Sequence, residues 1–167
     1  MTMVGLFWIA EGDVYLGAKP SGLAPGVRLS PDGVVALGDG QYALHPWEDV
    51  RALTVTDAPV KTLRHQVGVV GNLALGAVTG WVNEPAPMMT VRMESSSGEH
   101  ELAAFVAAAA GYSPTELDLS HTLLSRLTEG AATMATTLAC MSEWGRAWEG
   151  GSPRAAERER LLREWVG

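Results

Sequence analysis

Cysteine is almost absent: Cys140 stands alone among 167 residues. One thiol can form neither an intrachain disulfide nor a thiolate metal cage, so the chain reads as a protein of the reducing cytoplasm and not as a cross-linked secreted scaffold. Positive charge is scarce too. Twelve Lys and Arg against nineteen Asp and Glu leave a formal net charge of −7. A nucleic-acid partner is therefore not expected, because gripping phosphate backbones needs a basic face that releases counterions. A membrane-spanning run is missing as well. The longest apolar stretch, residues 67–82, would reach only about 24 Å as a helix at ~1.5 Å per residue, short of a ~30 Å hydrocarbon core, and Asn72 interrupts it. Residues 4–10 (VGLFWIA) lack a basic lead-in and are closed at once by Glu11, Gly12 and Asp13, so they read as a first strand and not as a signal peptide. Catalytic signatures are missing: there is no Walker A loop, no HExxH, no nucleophile elbow and no Gly-rich loop between a strand and a helix. The chain reads as non-enzymatic, with no cofactor and no metal.

What is there begins with short strands. Residues 4–10 and 14–18 flank Glu11-Gly12-Asp13, which is hairpin punctuation. Residues 19–26 (KPSGLAPG) carry too many breakers for regular structure. Residues 27–29 and 34–37 flank Ser30-Pro31-Asp32-Gly33, a type I turn signature. Residues 41–57 (QYALHPWEDVRALTVTD) join two strand-like runs through a Pro46-Trp47 corner, with Trp47 expected to plug the open end of a curved sheet. Residues 88–94 alternate cleanly, with Met89, Val91 and Met93 on one face. If residues 95–98 close that hairpin, Glu94 stands opposite Glu99, Arg92 opposite Glu101, Val91 opposite Leu102, and His100 lies inward beside Met93. Glu99, His100 and Glu101 then point to alternate faces and cannot converge on one ion.

Helical patterning follows. Ser113-Pro114-Thr115-Glu116 is a capping-box start, and Leu117, Leu124 and Leu127, with His121 between them, make one apolar face up to Gly130. Residues 131–148 continue with Met134, Leu138, Met141 and Trp148 at near-heptad spacing, with Gly145 as an interruption. Trp144 and Trp148, four apart, share a surface. After Gly150-Gly151 a charged terminal helix carries the narrow stripe Leu161, Leu162, Trp165 and Val166, which suits a docking segment.

The run of short strands followed by one capped helix, with Pro46-Trp47-Glu48-Asp49-Val50 in mid-chain, resembles the bacterial pleckstrin-homology-like (PH-like, or GRAM-like) domains over roughly residues 5–129. In that family a comparable Trp-acidic-x-aliphatic turn leads into a central strand, and the terminal helix plugs one end of a strongly bent sheet. The resemblance implies an α+β fold: a bent antiparallel β-sheet or barrel closed by an amphipathic helix, with a C-terminal helical extension. Phosphoinositide binding is not carried over, because the family's lipid contact uses a basic loop near the first hairpin and this hairpin offers Glu11 and Asp13.

The expected organisation is a β domain over residues 1–130 with an apolar insert at 58–87, and a helical extension over 131–167. The leading functional expectation is an interaction or scaffold module, a homo-oligomer or the binder of another protein. Its contact is assigned to Met134, Leu138, Met141, Trp144, Trp148, Leu161, Leu162 and Trp165, an apolar surplus beyond the β domain. The alternative is a peripheral membrane protein. There Lys61 and Arg64 meet anionic headgroups while the insert, with Gly68, Gly76 and Gly80 at helical spacing and Trp81 at its end, lies in the interface or packs on another helix.

Overall fold

The structure is a computed structural model that describes residues 2–38, 40–60, 87–108 and 111–167. Lys61, Arg64, Gly68, Gly76, Gly80 and Trp81 lie outside the described residues, and with them the conformation expected for the insert.

Among the described residues the chain forms two antiparallel sheets, of six and three strands, and three α-helices. The first sheet is a meander of β1 (Thr2–Val4), β2 (Phe7–Ala10), β3 (Asp13–Leu16), β4 (Gly26–Ser30), β5 (Gly33–Leu37) and β6 (Ala43–Pro46), paired in chain order. A 3₁₀ turn, Trp47–Asp49, then leads to the second meander of β7 (Val50–Thr56), β8 (Met88–Ser95) and β9 (Gly98–Phe105). Helices α1 (Pro114–Leu127), α2 (Ala131–Ala147) and α3 (Ala155–Val166) complete the fold.

The alternation expected for β8 and β9 places its side chains as read. Arg92 pairs with Glu101, Val91 with Leu102, Met93 with His100 and Glu94 with Glu99. Arg92 also bonds both flanking acids, 3.2 Å from Glu99 and 3.3 Å from Glu101, on the exposed face. The first strand differs from expectation: residues 4–10 are broken by a tight turn at Gly5-Leu6, with Val4 opposite Phe7. Gly5 has φ +58°, a conformation that favours glycine. The turn is buried, not polar, because the Leu6 N–H donates to Ser120 Oγ at 3.1 Å and the Leu6 side chain enters the core. An apolar run whose turn docks on a helix carries no hydrophilic punctuation, so the alternation passes over it.

The expectation of one bent sheet or barrel needs correction. Among the described residues no backbone ladder joins the two sheets; the seam holds one backbone bond, from Ala18 N–H to Phe105 C=O at 2.8 Å, and side-chain bonds beside it. The Gln41 amide accepts from Ala103 N–H at 2.9 Å and donates to Ala103 C=O at 3.0 Å, taking the place of a neighbouring strand along β9. At the other edge of the three-stranded sheet, His121 on α1 meets both the N–H and the C=O of Val55 at 3.2 Å, while its Nδ1 lies 2.9 Å from the Leu117 carbonyl. An imidazole that donates from Nδ1 to Leu117 leaves Nε2 free to accept from Val55 N–H. Backbone groups occupied in this way are not available for strand pairing, so each edge ends where a side chain caps it. Trp47 takes the corner position expected of it, half-buried against the core, with its indole N–H donating to Ser30 C=O at 2.6 Å.

The helices after Gly130 belong to the same core as the strands. Met134, Leu138, Met141, Leu161, Leu162 and Trp165 join Phe7, Ile9, Leu16, Val91, Met93, Leu123 and Leu124 in one contiguous buried cluster. Gly145 explains how α2 gets so close: a Cβ there would overlap the Ile9 side chain, so the glycine that interrupts the apolar stripe is the point of contact with β2. Helix α3 is tied down from its polar side. Glu116, placed by the Ser113 cap, receives two bonds from Arg158, 2.6 Å from Nε and 3.2 Å from Nη2, while Arg158 Nη1 donates to the Pro153 carbonyl at 2.7 Å.

Candidate functional site

The eight residues assigned to intermolecular contact fall into two groups. Met134, Leu138, Met141, Leu161, Leu162 and Trp165 are buried within the chain itself, which corrects the premise that they form an apolar surplus. An amphipathic stripe states that a face will be covered, and here the sheet and α1 cover it. Trp144 and Trp148 are half-buried. Their rings stack at 5.2 Å, as their four-residue spacing suggests, and Trp144 meets Trp165 edge-on at 5.7 Å. Trp148 donates to the Gly151 carbonyl at 2.9 Å, so this cluster ties the end of α2 to the link before α3.

Exposed apolar surface lies elsewhere. Connections of a meander alternate between its two ends: the β2–β3 and β4–β5 turns lie at one end, beside α2, and the β3–β4 and β5–β6 loops at the other. At that second end Leu23 is 77% exposed, Tyr42 79% and Leu44 54%. Leu23 and Tyr42 line one hollow of about 390 Å³ with Pro20, Leu37 and three glycines. Tyr42 and Leu44 are two apart on one extended run and so share a face. The Gln41 side chain fixes the base of this rim, because besides Ala103 it also donates to the carbonyls of Leu37 and Gly26, at 2.8 and 3.2 Å. Sequence patterning missed the rim because Leu23 sits in a loop full of breakers; the one signal was a leucine between two Gly-Pro clusters with no periodic partner.

Among the described residues, the titratable groups near the seam form no hydrogen-bonded acid–base–nucleophile set. His45 on β6 and His100 on β9 lie with ring centroids 5.0 Å apart. Burial, and then the neighbouring His100, hold the His45 imidazole below its ordinary value. His100 Nε2 is 3.2 Å from Ser97 Oγ, a serine–imidazole contact. Among the described residues no carboxylate hydrogen-bonds the other nitrogen of His100, so nothing there orients it as a base for that serine. Glu99 and Glu101 are held by Arg92 on the opposite face. Tyr112, buried with its hydroxyl accepting from Ala107 N–H at 3.2 Å, is pushed up chiefly by that burial and serves the core. Glu99 and Glu101 thus face away from His100, and among the described residues no three His, Cys, Asp or Glu side chains converge. No helix of the described residues is long and apolar enough to cross a membrane. No family model, curated protein or solved structure matches the chain.

Proposed function

We propose that this chain is a non-enzymatic interaction module of PH-like architecture, and that it docks on a second protein surface through Leu23, Tyr42 and Leu44. The PH-like reading is supported by the strand meander divided into two sheets, by Trp47 at the corner between them, and by α1 lying against β7. The single observation that carries the docking reading is the exposure of Leu23, Tyr42 and Leu44 together at one end of the fold; among the described residues the other exposed large apolar side chains, Val60 and Met88, are less exposed. A twofold contact buries six such side chains, about 9–18 kcal/mol at full burial, and because each is already partly covered the gain is smaller and comparable with the ~4–15 kcal/mol cost of association. A contact on that scale is transient, not obligate. The partner is a second copy of the chain, which presents the same rim and satisfies a twofold contact. The reducing cytoplasm is the compartment that an exposed, unpaired Cys140 suits.

Sedimentation velocity across a rising concentration series tests this reading. A reversible monomer–dimer equilibrium is expected for the full chain, and it should vanish when Leu23, Tyr42 and Leu44 are all changed to Ser. A monomer at every concentration, or a dimer that the triple variant leaves intact, overturns it.

A further inference from the structure

Two histidines 55 positions apart in sequence meet at the seam, one from each sheet. His45 stands opposite Val34 in the first sheet and His100 opposite Met93 in the second. Val34 and Met93 are wholly buried, and directly opposed residues share a face, so both imidazoles lie on the core-facing sides of their strands. They are half-buried, with ring centres 5.0 Å apart and planes tilted by 46°.

A hydrogen-bond chain in the β8–β9 turn fixes the tautomer of His100. Ser95 Oγ donates its single proton to the Gly98 carbonyl at 3.0 Å, so toward Ser97 Oγ, 3.0 Å away, it only accepts. Ser97 is then the donor of that pair. Its oxygen is left to accept from His100 Nε2–H at 3.2 Å, which leaves Nδ1 of a neutral ring with a lone pair. Among the described residues no protein group hydrogen-bonds that Nδ1 or either ring nitrogen of His45, and the two rings do not hydrogen-bond each other. The acids beside His100, Glu99 and Glu101, are held by Arg92 on the far face. A ring with one nitrogen committed to a hydroxyl and the other offering a lone pair is the arrangement of a metal-ligating histidine.

We propose that His45 and His100 together bind one divalent transition-metal ion of the zinc class, which bridges β6 and β9 and clamps the seam between the sheets. Two imidazoles sharing a tetrahedral ion at about 2.0–2.1 Å per nitrogen have ring centres roughly 5 Å apart. The separation here is 5.0 Å. Imidazole suits zinc, copper and nickel, whereas magnesium and calcium take oxygen ligands. Ser97 is a positioning residue that holds the His100 ring through Nε2. Water takes the remaining positions on the ion, since among the described residues no third His, Cys, Asp or Glu side chain converges with these two. The site is independent of the docking rim, because Leu44 and His45 are consecutive on β6 and point to opposite faces.

The test is a titration of the full chain with Zn²⁺, read from histidine ring resonances in long-range nitrogen–proton spectra, with Mg²⁺ as the arm for an ion that imidazole does not suit. The ring signals of His45 and His100 should shift saturably with zinc. Those of His121, whose nitrogens are both taken by backbone groups, should stay in place, and Mg²⁺ should move none of them. His45→Gln and His100→Gln should each weaken zinc binding at least roughly tenfold, and so should Ser97→Ala at an exposed turn position, since loss of such a supporting partner costs about 10–100-fold in affinity. Zinc should also raise the thermal midpoint of the parent and of neither histidine variant. Absence of saturable ring shifts overturns the proposal, as do Mg²⁺ shifts equal to those with zinc. Zinc binding that neither histidine variant weakens also overturns it and places the ion elsewhere, as at the exposed Cys140.

Discussion

Arg158→Met tests how α3 is held. Glu116 keeps only 4% of its side-chain surface exposed and Arg158 18%, so the pair is largely withdrawn from solvent and joins residues 42 positions apart. Removing the guanidinium leaves a buried carboxylate with the Ser113 hydroxyl, at 3.0 Å, as its one remaining side-chain donor. Breaking a buried pair from one side costs about 3–5 kcal/mol, roughly a fifth or more of the ~5–15 kcal/mol that stabilises a typical domain. For a chain of this size the midpoint should fall by roughly 6–20 °C. Urea unfolding should show a lower midpoint with an unchanged slope, since the surface exposed on unfolding is the same. Adding Glu116→Gln removes the uncompensated charge, and the double variant should recover more than half of the loss. A single variant that costs less than about 1 kcal/mol, or a double variant no more stable than the single, would refute the assignment of this pair as the tie between α1 and α3.

Other consequences follow from the packing and the seam. Gly145→Val puts side-chain atoms into Ile9 and should cost about 1–3 kcal/mol or more in thermal unfolding, whereas Gly151→Ala, where nothing lies within 4 Å, should be nearly neutral. His45 has a folded value depressed below 6.5, so the unfolded chain takes up its proton first as pH falls. Stability should therefore decline as pH drops from about 6.5 toward the lower folded value and level off beneath it, and His45→Gln should flatten that part of a pH series of urea midpoints. Trp144→Ala with Trp148→Ala should lower the midpoint by loss of stacking and buried area, and should leave self-association as it was.

The parts of this fold legible in sequence were those set by neighbours along the chain. The β8–β9 register followed from strict alternation around a short serine turn, and the α1 start from Ser113, Pro114 and Glu116. The stacking of Trp144 on Trp148 followed from one turn of helix. What alternation and spacing cannot carry is which surface covers which. Met134, Leu138 and Met141 showed that α2 must bury a face; they did not say that Ile9 and the first sheet would do it. The tie between Glu116 and Arg158, and the capping of strand edges by Gln41 and His121, join residues 42, 62 and 66 positions apart. Each looks like an ordinary polar residue until the chain is folded. The apolar rim was hidden differently, since Leu23 and Tyr42 lie in loops where exposure follows from breakers and leaves no period to read.

The most direct measurement is a dilution series of two-dimensional amide spectra on the full chain. If contact runs through the rim, the resonances that move with concentration should be those around Leu23, Tyr42 and Leu44, with Met134, Leu138 and Met141 unmoved. Concentration-dependent shifts centred on α2 and α3, with the rim silent, would contradict the assignment and return the contact to the C-terminal helices.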